Sequence, residues 1–302
     1  MINRGGDEGG DFSWLEPTAQ QLNKTPPSIL QDVSNCIKRF NSTPTEKLDL
    51  PYIAETIDWL TYYFFIIPYQ ASHPDSFWRT RLSEPDHLFP HTDELKYPPD
   101  SAVSAGRANF QGSPIFYAGS SPETTFAECR LNEGDHFHLT EYTVRDGSTF
   151  YLHVLGDIDS MRRRGKTVLD RPSFAKAYLY ALDLLRDDVR MAVQLVDAFF
   201  VDRLSRKGGD AEYQVTASIV AELLKQEKLS GIIFPSVEHA GGFNYAIKPD
   251  CYDAHILPLN ISAQKVLADY GYGAYQTARH GPVEINDVPG NIRWPDLPAD
   301  WP

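Results

Sequence analysis

The chain has 302 residues, 42% of them hydrophobic, and a formal net charge of -13, which suits one large domain or a domain with an appendage. The acidic balance argues against a nucleic-acid partner, because such binding rests on cationic contacts with phosphates. Its three cysteines, Cys36, Cys129 and Cys251, are far apart and form no Cys-x-x-Cys pair, which argues against a disulfide framework or a zinc site and fits a reducing cytoplasm.

The first thirty residues are acidic, polar and glycine-containing, without the cationic stretch and apolar core of a secretory signal. Ser28 opens a helix through Phe40 with Ile29, Val33, Ile37 and Phe40 at helical spacing, and Pro51 opens another through Phe65 with Ile53, Ile57 and Leu60 on one stripe. The apolar run from Leu60 to Pro68 is too short to span a bilayer and reads as a buried helix end, so no membrane association is expected. Residues 1–70 thus predict an N-terminal helical extension outside the catalytic residues. Its apolar stripes need burial on the core, on a second copy in a homodimer or on an inhibitory partner.

From Pro68 to about Pro114 the chain is rich in Pro, Asp, His and Ser and reads as long connections around Phe77-Trp78-Arg79. A compact unit follows. Arg107-Ala108-Asn109 lies in a turn, Ile115-Phe116-Tyr117 is a short apolar strand, and Ser121-Pro122-Glu123 is a helix start with a cap and proline in the first turn. Counting from Ser121 puts Phe126 and Glu128 on different faces of that helix, so that Phe126 enters the core and Glu128 looks into a cleft.

Phe137 to Val144 and Phe150 to Leu155 read as two strands joined by an Asp146-Gly147 hairpin turn. Arg162-Arg163-Arg164, followed by Gly165-Lys166, reads as a solvated loop. Phe174–Leu185, Met191–Leu204 and Tyr213–Leu224 repeat apolar residues at helical spacing, and strand character returns at Ile232-Ile233-Phe234 and from Phe243 to Ile247. The tail from about Ala263 fits no element. Gly271-Tyr272-Gly273 lacks the strand and helix that would make it a dinucleotide fingerprint. His136 and His138 are spaced to share one strand face, but no third ligand is in view, so no metal is expected. The whole predicts an α+β (mixed α/β) fold divided at 1–70, 71–260 and 261–302.

The Arg-x-Asn turn at Arg107-Ala108-Asn109, the Pro-x-x-Tyr strand ending at Tyr117 and Ala127-Glu128 in the helix match, in order and spacing, the pattern of the RES domain. Upstream Phe77-Trp78-Arg79 resembles its opening aromatic-Arg, with Arg81 competing for the arginine. Gly231-Ile232-Ile233-Phe234-Pro235-Ser236 followed by Gly241-Gly242 resembles its serine block. The resemblance covers about residues 77–258. It implies a core related to ADP-ribosyltransferases and a toxin that consumes NAD, held in check by an Xre-type antitoxin. NAD is then substrate rather than cofactor, with inorganic phosphate a second candidate co-substrate.

Within that resemblance the residues take defined tasks. Cleaving the nicotinamide–ribose bond builds oxocarbenium character on the ribose, which a fixed carboxylate at Glu128 would stabilise. Nicotinamide leaves neutral, so an ionised glutamate suffices. Arg79 (or Arg81) and Arg107, beside Asn109, would grip the pyrophosphate with planar guanidinium donors. Tyr117 would stack on nicotinamide or bond a ribose hydroxyl. Ser236, which has no Gly-x-Ser-x-Gly elbow, would bond substrate rather than attack it. Water, phosphate and a macromolecular acceptor all remain open, the last making the chain an ADP-ribosyltransferase. An inactive binding module using the acidic surface is the alternative from another class.

Overall fold

The structure, a computed structural model, describes residues 11–85, 87–271, 273–282, 284–285, 290–298 and 301. The acidic leader 1–10 and Tyr272 lie outside the described residues. In chain order the helices are α1 (Glu16–Leu22), α2 (Ile29–Ser42), α3 (Leu50–Thr61), α4 (Pro122–Cys129), α5 (Asp157–Arg164), α6 (Pro172–Asp183), α7 (Asp187–Leu204), α8 (Asp210–Leu223) and α9 (Pro249–His255). The strands are β1 (Pro68–Ser72), β2 (Ser76–Ser83), β3 (Phe116–Gly119), β4 (His136–Val144), β5 (Thr149–Val154), β6 (Gly231–Pro235), β7 (Phe243–Ile247), β8 (Ile256–Asp269), β9 (Tyr275–His280), β10 (Glu284–Ile285) and β11 (Ile292–Arg293). The fold is α+β.

The chain forms two compact units. One joins the described residues up to Tyr69 to Gly106–Asn109 and His153–Gln226, and is helical. Here α2 packs on α7 and α3 on α8. Phe40 of α2 is fully buried, its ring 5.5 Å from Phe199 and 5.9 Å from Tyr52, with the Arg203 guanidinium 5.4 Å from its centre. Arg203 in turn meets Glu212 at 2.8 Å in a buried ion pair joining α7 to α8. The stripes of the N-terminal helices are therefore spent on residues 153–226 of the same chain. Helix α3 begins with Asp49 accepting from the Tyr52 amide at 2.8 Å and ends four residues before the expected Phe65. Pro68 drives the residue before it toward extended backbone, and Phe64 is held edge-on between Phe200 at 5.0 Å and His153 at 4.9 Å.

Arg162, Arg163 and Arg164 form the last turn of α5 rather than a loop, and Arg162 and Arg163 both pair with Asp159. Cations at that end complement the helix dipole, and Gly165 at φ 74° closes it. Two buried carboxyls lie at the other end of α5, that of its own Asp157 and that of Asp197 from α7. Asp197 accepts from the amides of Gly156 at 3.2 Å and Asp159 at 2.8 Å, and Asp157 accepts from Val168 at 2.7 Å. Burial pushes each up to about 7, opposed in part by these bonds.

The second unit comprises 70–105, 110–152 and 227–302 and carries most of a nine-stranded sheet in the order β1-β5-β6-β7-β3-β2-β4-β8-β9. This overturns the expected β4–β5 hairpin. A turn does form, with Ser148 N–H on the Arg145 carbonyl and Gly147 at φ 74°. Both sides of β4 are taken, however, by β2 and β8, so β5 passes to a place between β1 and β6. The stretch from Pro68, expected as connections, holds β1 and β2. The unassigned tail supplies β9 and the end of β8, a strand that continues past residue 260 antiparallel to β4, with a register shift between Glu141 and Tyr142.

Strands β2 and β3 meet at a single pair, Trp78 opposite Gly119. Each is otherwise committed elsewhere, β2 to β4 from Ser76 to Ser83 and β3 to β7 from Phe116 to Gly119. The sheet is thus two blocks of strands, β1-β5-β6-β7-β3 and β2-β4-β8-β9, joined at one residue pair. Alternation sets Phe77, Arg79 and Arg81 on one face of β2 and Trp78 and Thr80 on the other.

Two outcomes test this packing. A chain starting at Ser72 is expected to aggregate on size-exclusion chromatography, because the apolar faces of α7 and α8 lose their cover; a monodisperse product would contradict it. For Asp157 and Asp197 the folded value lies above the unfolded one, so the folded state holds more protons between about pH 4 and about pH 7 and their contribution to stability declines as pH rises through that window. Urea titrations should show a shallower decline for Asp157→Asn than for the parent chain, and an unchanged slope would contradict the assignment.

Candidate active site

Helix α4 is set directly on the end of β3. The Ser121 hydroxyl accepts from the Thr124 amide at 3.2 Å, and Pro122 occupies the first turn. Thr125 shares a hydrogen bond of 2.7 Å with Thr80 of β2, and the Cys129 thiol donates to the Thr80 carbonyl at 3.5 Å. Both contacts lie on the Trp78 face of β2. The approach is close: a Cβ on Gly119 would lie 2.7 Å from Thr125 Cγ2. Phe126, like Trp78, packs against the buried cluster of Leu131, Phe137, Leu139 and Val266, its ring 5.4 Å from that of Phe137. Glu128 points away from this cluster and is exposed.

The Glu128 carboxylate is nonetheless fixed. Its Oε1 accepts from Ser236 Oγ at 2.6 Å and from Asn244 Nδ2 at 2.7 Å. Oε2 accepts none from the described residues. The Ser236 oxygen takes the His239 amide at 3.0 Å, so its one proton is free to point at Glu128. Asn244, 8% exposed, sits on β7 opposite Gly119 of β3 and Phe234 of β6, which puts it on the sheet face that carries Trp78 and α4.

The β6–β7 loop clasps α4 along its length. Besides Ser236 on Glu128, His239 Nδ1 and Thr124 Oγ1 share a hydrogen bond of 2.9 Å, and Glu238 pairs with Arg130 at 2.9 Å. The two glycines each have a task. Gly241 adopts φ 87°, and a Cβ on Gly242 would lie 2.5 Å from Thr124 Oγ1 and 2.7 Å from His239 Nδ1. Only glycine leaves room for that contact.

Tyr117 lies on the same face of β3 as Gly119, half-buried, and its carbonyl accepts from Arg79 Nη1 at 2.6 Å. Arg79 thereby reaches from β2 to β3 at the level where no ladder joins them. Its Nε is buried without a partner among the described residues, and burial lowers its pKa from the usual arginine value. Arg81 shares its face and stands 5.0 Å over the Phe89 ring. Neither arginine bonds the Glu128 carboxylate. Arg107 belongs to the helical unit, where its Nη1 donates to the carbonyls of Leu204 at 2.7 Å and Arg206 at 2.8 Å, just past the end of α7, and its guanidinium faces Tyr213 at 5.9 Å. Asn109 is buried and closes the same turn through the Gly106 amide on its carbonyl at 3.0 Å.

Cys129, beside Glu128, is held by burial at about 11, which keeps it a thiol at neutral pH. His138 is buried edge-on to Phe89 at 4.5 Å and Trp294 at 5.5 Å, and burial lowers it to about 3. Among the described residues no group of three His, Cys, Asp or Glu is placed to hold a metal. Sequence reasoning missed Asn244 and the His239–Thr124 tether. One signal for the first was available, a lone amide in the apolar run 243–247.

Residues 76–265 match the family model of the RES domain, well over half of the chain, and the chain therefore belongs to that family. The match opens at the first residue of β2, includes α4 and the β6–β7 loop, and closes within β8. No curated protein and no solved structure matches the chain.

Gly242→Ala is expected to lower stability by roughly 1–3 kcal/mol through overpacking against Thr124 and His239, measured by urea unfolding. A change below about 0.5 kcal/mol, the usual scatter of surface substitutions, would show that the clasp gives way freely.

Proposed function

We propose that the chain is an NAD-degrading enzyme that cleaves the nicotinamide–ribose bond, with water or inorganic phosphate as acceptor, and that it acts as a toxin. The observation that carries this reading is the Glu128 carboxylate, braced through Oε1 and open at Oε2. Positive charge that develops on the ribose needs a fixed anion beside the anomeric carbon, and a carboxylate whose position is set before substrate arrives loses little in reorganisation. Nicotinamide departs with the bonding electrons as a neutral base, so no proton has to be supplied to it. The acceptor then bonds to the same carbon: water gives up a proton as it does so, for which Oε2 can serve as base, whereas phosphate attacks through an oxygen that is already ionised.

Ser236 serves here as a brace. Its proton lies on Glu128 and its oxygen accepts an amide, which leaves it poorly placed to attack the sugar. Tyr117 supplies an aromatic ring on the Glu128 side of β3. Arg79 lies on the face of β2 opposite α4 and holds the Tyr117 carbonyl, which supports a task in positioning the Tyr117 strand rather than a contact with the ribose beside Glu128. Arg107 has two of its hydrogen bonds spent on α7, which supports a task in fixing the turn that precedes β3. An Xre-type antitoxin fits as the inhibitory partner of such a toxin. Among the described residues no helix is long and apolar enough to cross a membrane.

The test is nicotinamide release from NAD by the purified chain, with and without phosphate, followed by identification of the ribosyl product. Free ADP-ribose or its phosphate ester is expected; label retained on protein would make the chain a transferase instead. Glu128→Gln should keep NAD affinity within about threefold and lower turnover about a hundredfold, the usual scale for removing one preorganised electrostatic partner. Turnover within a few-fold of the parent would remove Glu128 from the chemistry.

A further inference from the structure

Asn244 shares one oxygen of the Glu128 carboxylate with Ser236. Because Glu128 Oε1 is an acceptor, the Asn244 atom 2.7 Å away is the amide nitrogen, and the pair is a charge-assisted hydrogen bond. The amide comes from a buried position whose main chain is laddered on both sides, to Gly119 of β3 and to Phe234 of β6. Ser236, in contrast, belongs to a loop, and its hydroxyl can rotate. Two donors on one oxygen also divide the carboxylate: Oε1 is held by the protein, and Oε2 accepts no bond from the described residues.

We propose that Asn244 is a positioning residue of this site, an amide donor on the rigid sheet that fixes the Glu128 carboxylate so that Oε2 alone is presented to the sugar. This rests on the nicotinamide-cleaving reading. Asn244 acts through Glu128 and does not itself touch the substrate. Its removal should therefore lower turnover more than it weakens NAD binding, since a carboxylate free to rotate meets the developing charge in fewer of its conformations.

Two variants separate positioning from mere packing. Asn244→Leu should lower kcat at least about tenfold while KM for NAD stays within about threefold. Asn244→Asp should be nearly inactive at about pH 8, where two carboxylates face each other. It should regain turnover relative to the parent toward about pH 5.5, where the introduced carboxyl holds a proton to donate. Packing alone would not give activity that returns on acidification. Equal losses in kcat and KM, or an Asn244→Asp profile parallel to that of the parent, would overturn the proposal.

If the parent chain releases no nicotinamide, the enzymatic reading fails and the brace is read without turnover. In that case, or if the variants do not fold, the Asn244 side-chain amide resonances of the parent decide. Signals apart from those of exposed asparagines that move in Glu128→Gln keep the bond; signals at the ordinary position that ignore that substitution discard it.

Discussion

The candidate site depends on one interaction, the capture of the Glu128 carboxylate by donors from β6–β7. Helix α4 is a short helix, too short to hold its shape without tertiary support. It is fixed on one side by Thr125 and Cys129 against Thr80, and on the other by Ser236, Glu238 and His239 of the β6–β7 loop. Glycines at 119 and 242 let both supports approach closely. Were the loop displaced, Glu128 would lose the Ser236 donor and α4 one of its two supports, and the carboxylate would be held by Asn244 alone. The serine block therefore matters less as a source of a nucleophile than as the clasp that makes a surface glutamate a fixed anion.

The same elements explain why the arginines divide as they do. The single Trp78–Gly119 pair leaves β2 and β3 unjoined beyond it, and Arg79 bridges that opening to the Tyr117 carbonyl. Burying a guanidinium there is costly unless its donors are satisfied, and the partnerless Nε is the unsatisfied remainder. Arg107 instead spends its Nη1 on the carbonyls of Leu204 and Arg206, at and just past the end of α7.

Much of the fold was legible because its signals are local. Helical spacing in α2, α7 and α8, the Ser121-Pro122 start of α4 and the apolar runs of β6 and β7 all reside within one element. What was not legible depends on distant partners. Asp146-Gly147 makes its turn, but the place of β5 is decided by which neighbours β4 already has. Strand β2 carries an aromatic residue on each face and two arginines on one of them, which hides its alternation. The β8–β9 pair begins in a tail whose Gly, Pro and Tyr content reads as loop. At the site, the order Arg, Tyr, Glu, Ser was visible, whereas Asn244 pairs with a residue 116 positions away and announces itself only by breaking an apolar run.

The most direct measurement is a crystal structure of Glu128→Gln with intact NAD bound, since that substitution keeps the shape of the site and slows its chemistry. The anomeric carbon of the nicotinamide ribose is expected within roughly 4 Å of the side-chain atom that replaces Oε2, with the other atom still in contact with Ser236 and Asn244. NAD bound with its nicotinamide ribose away from residue 128, or on the opposite face of β2, would contradict it.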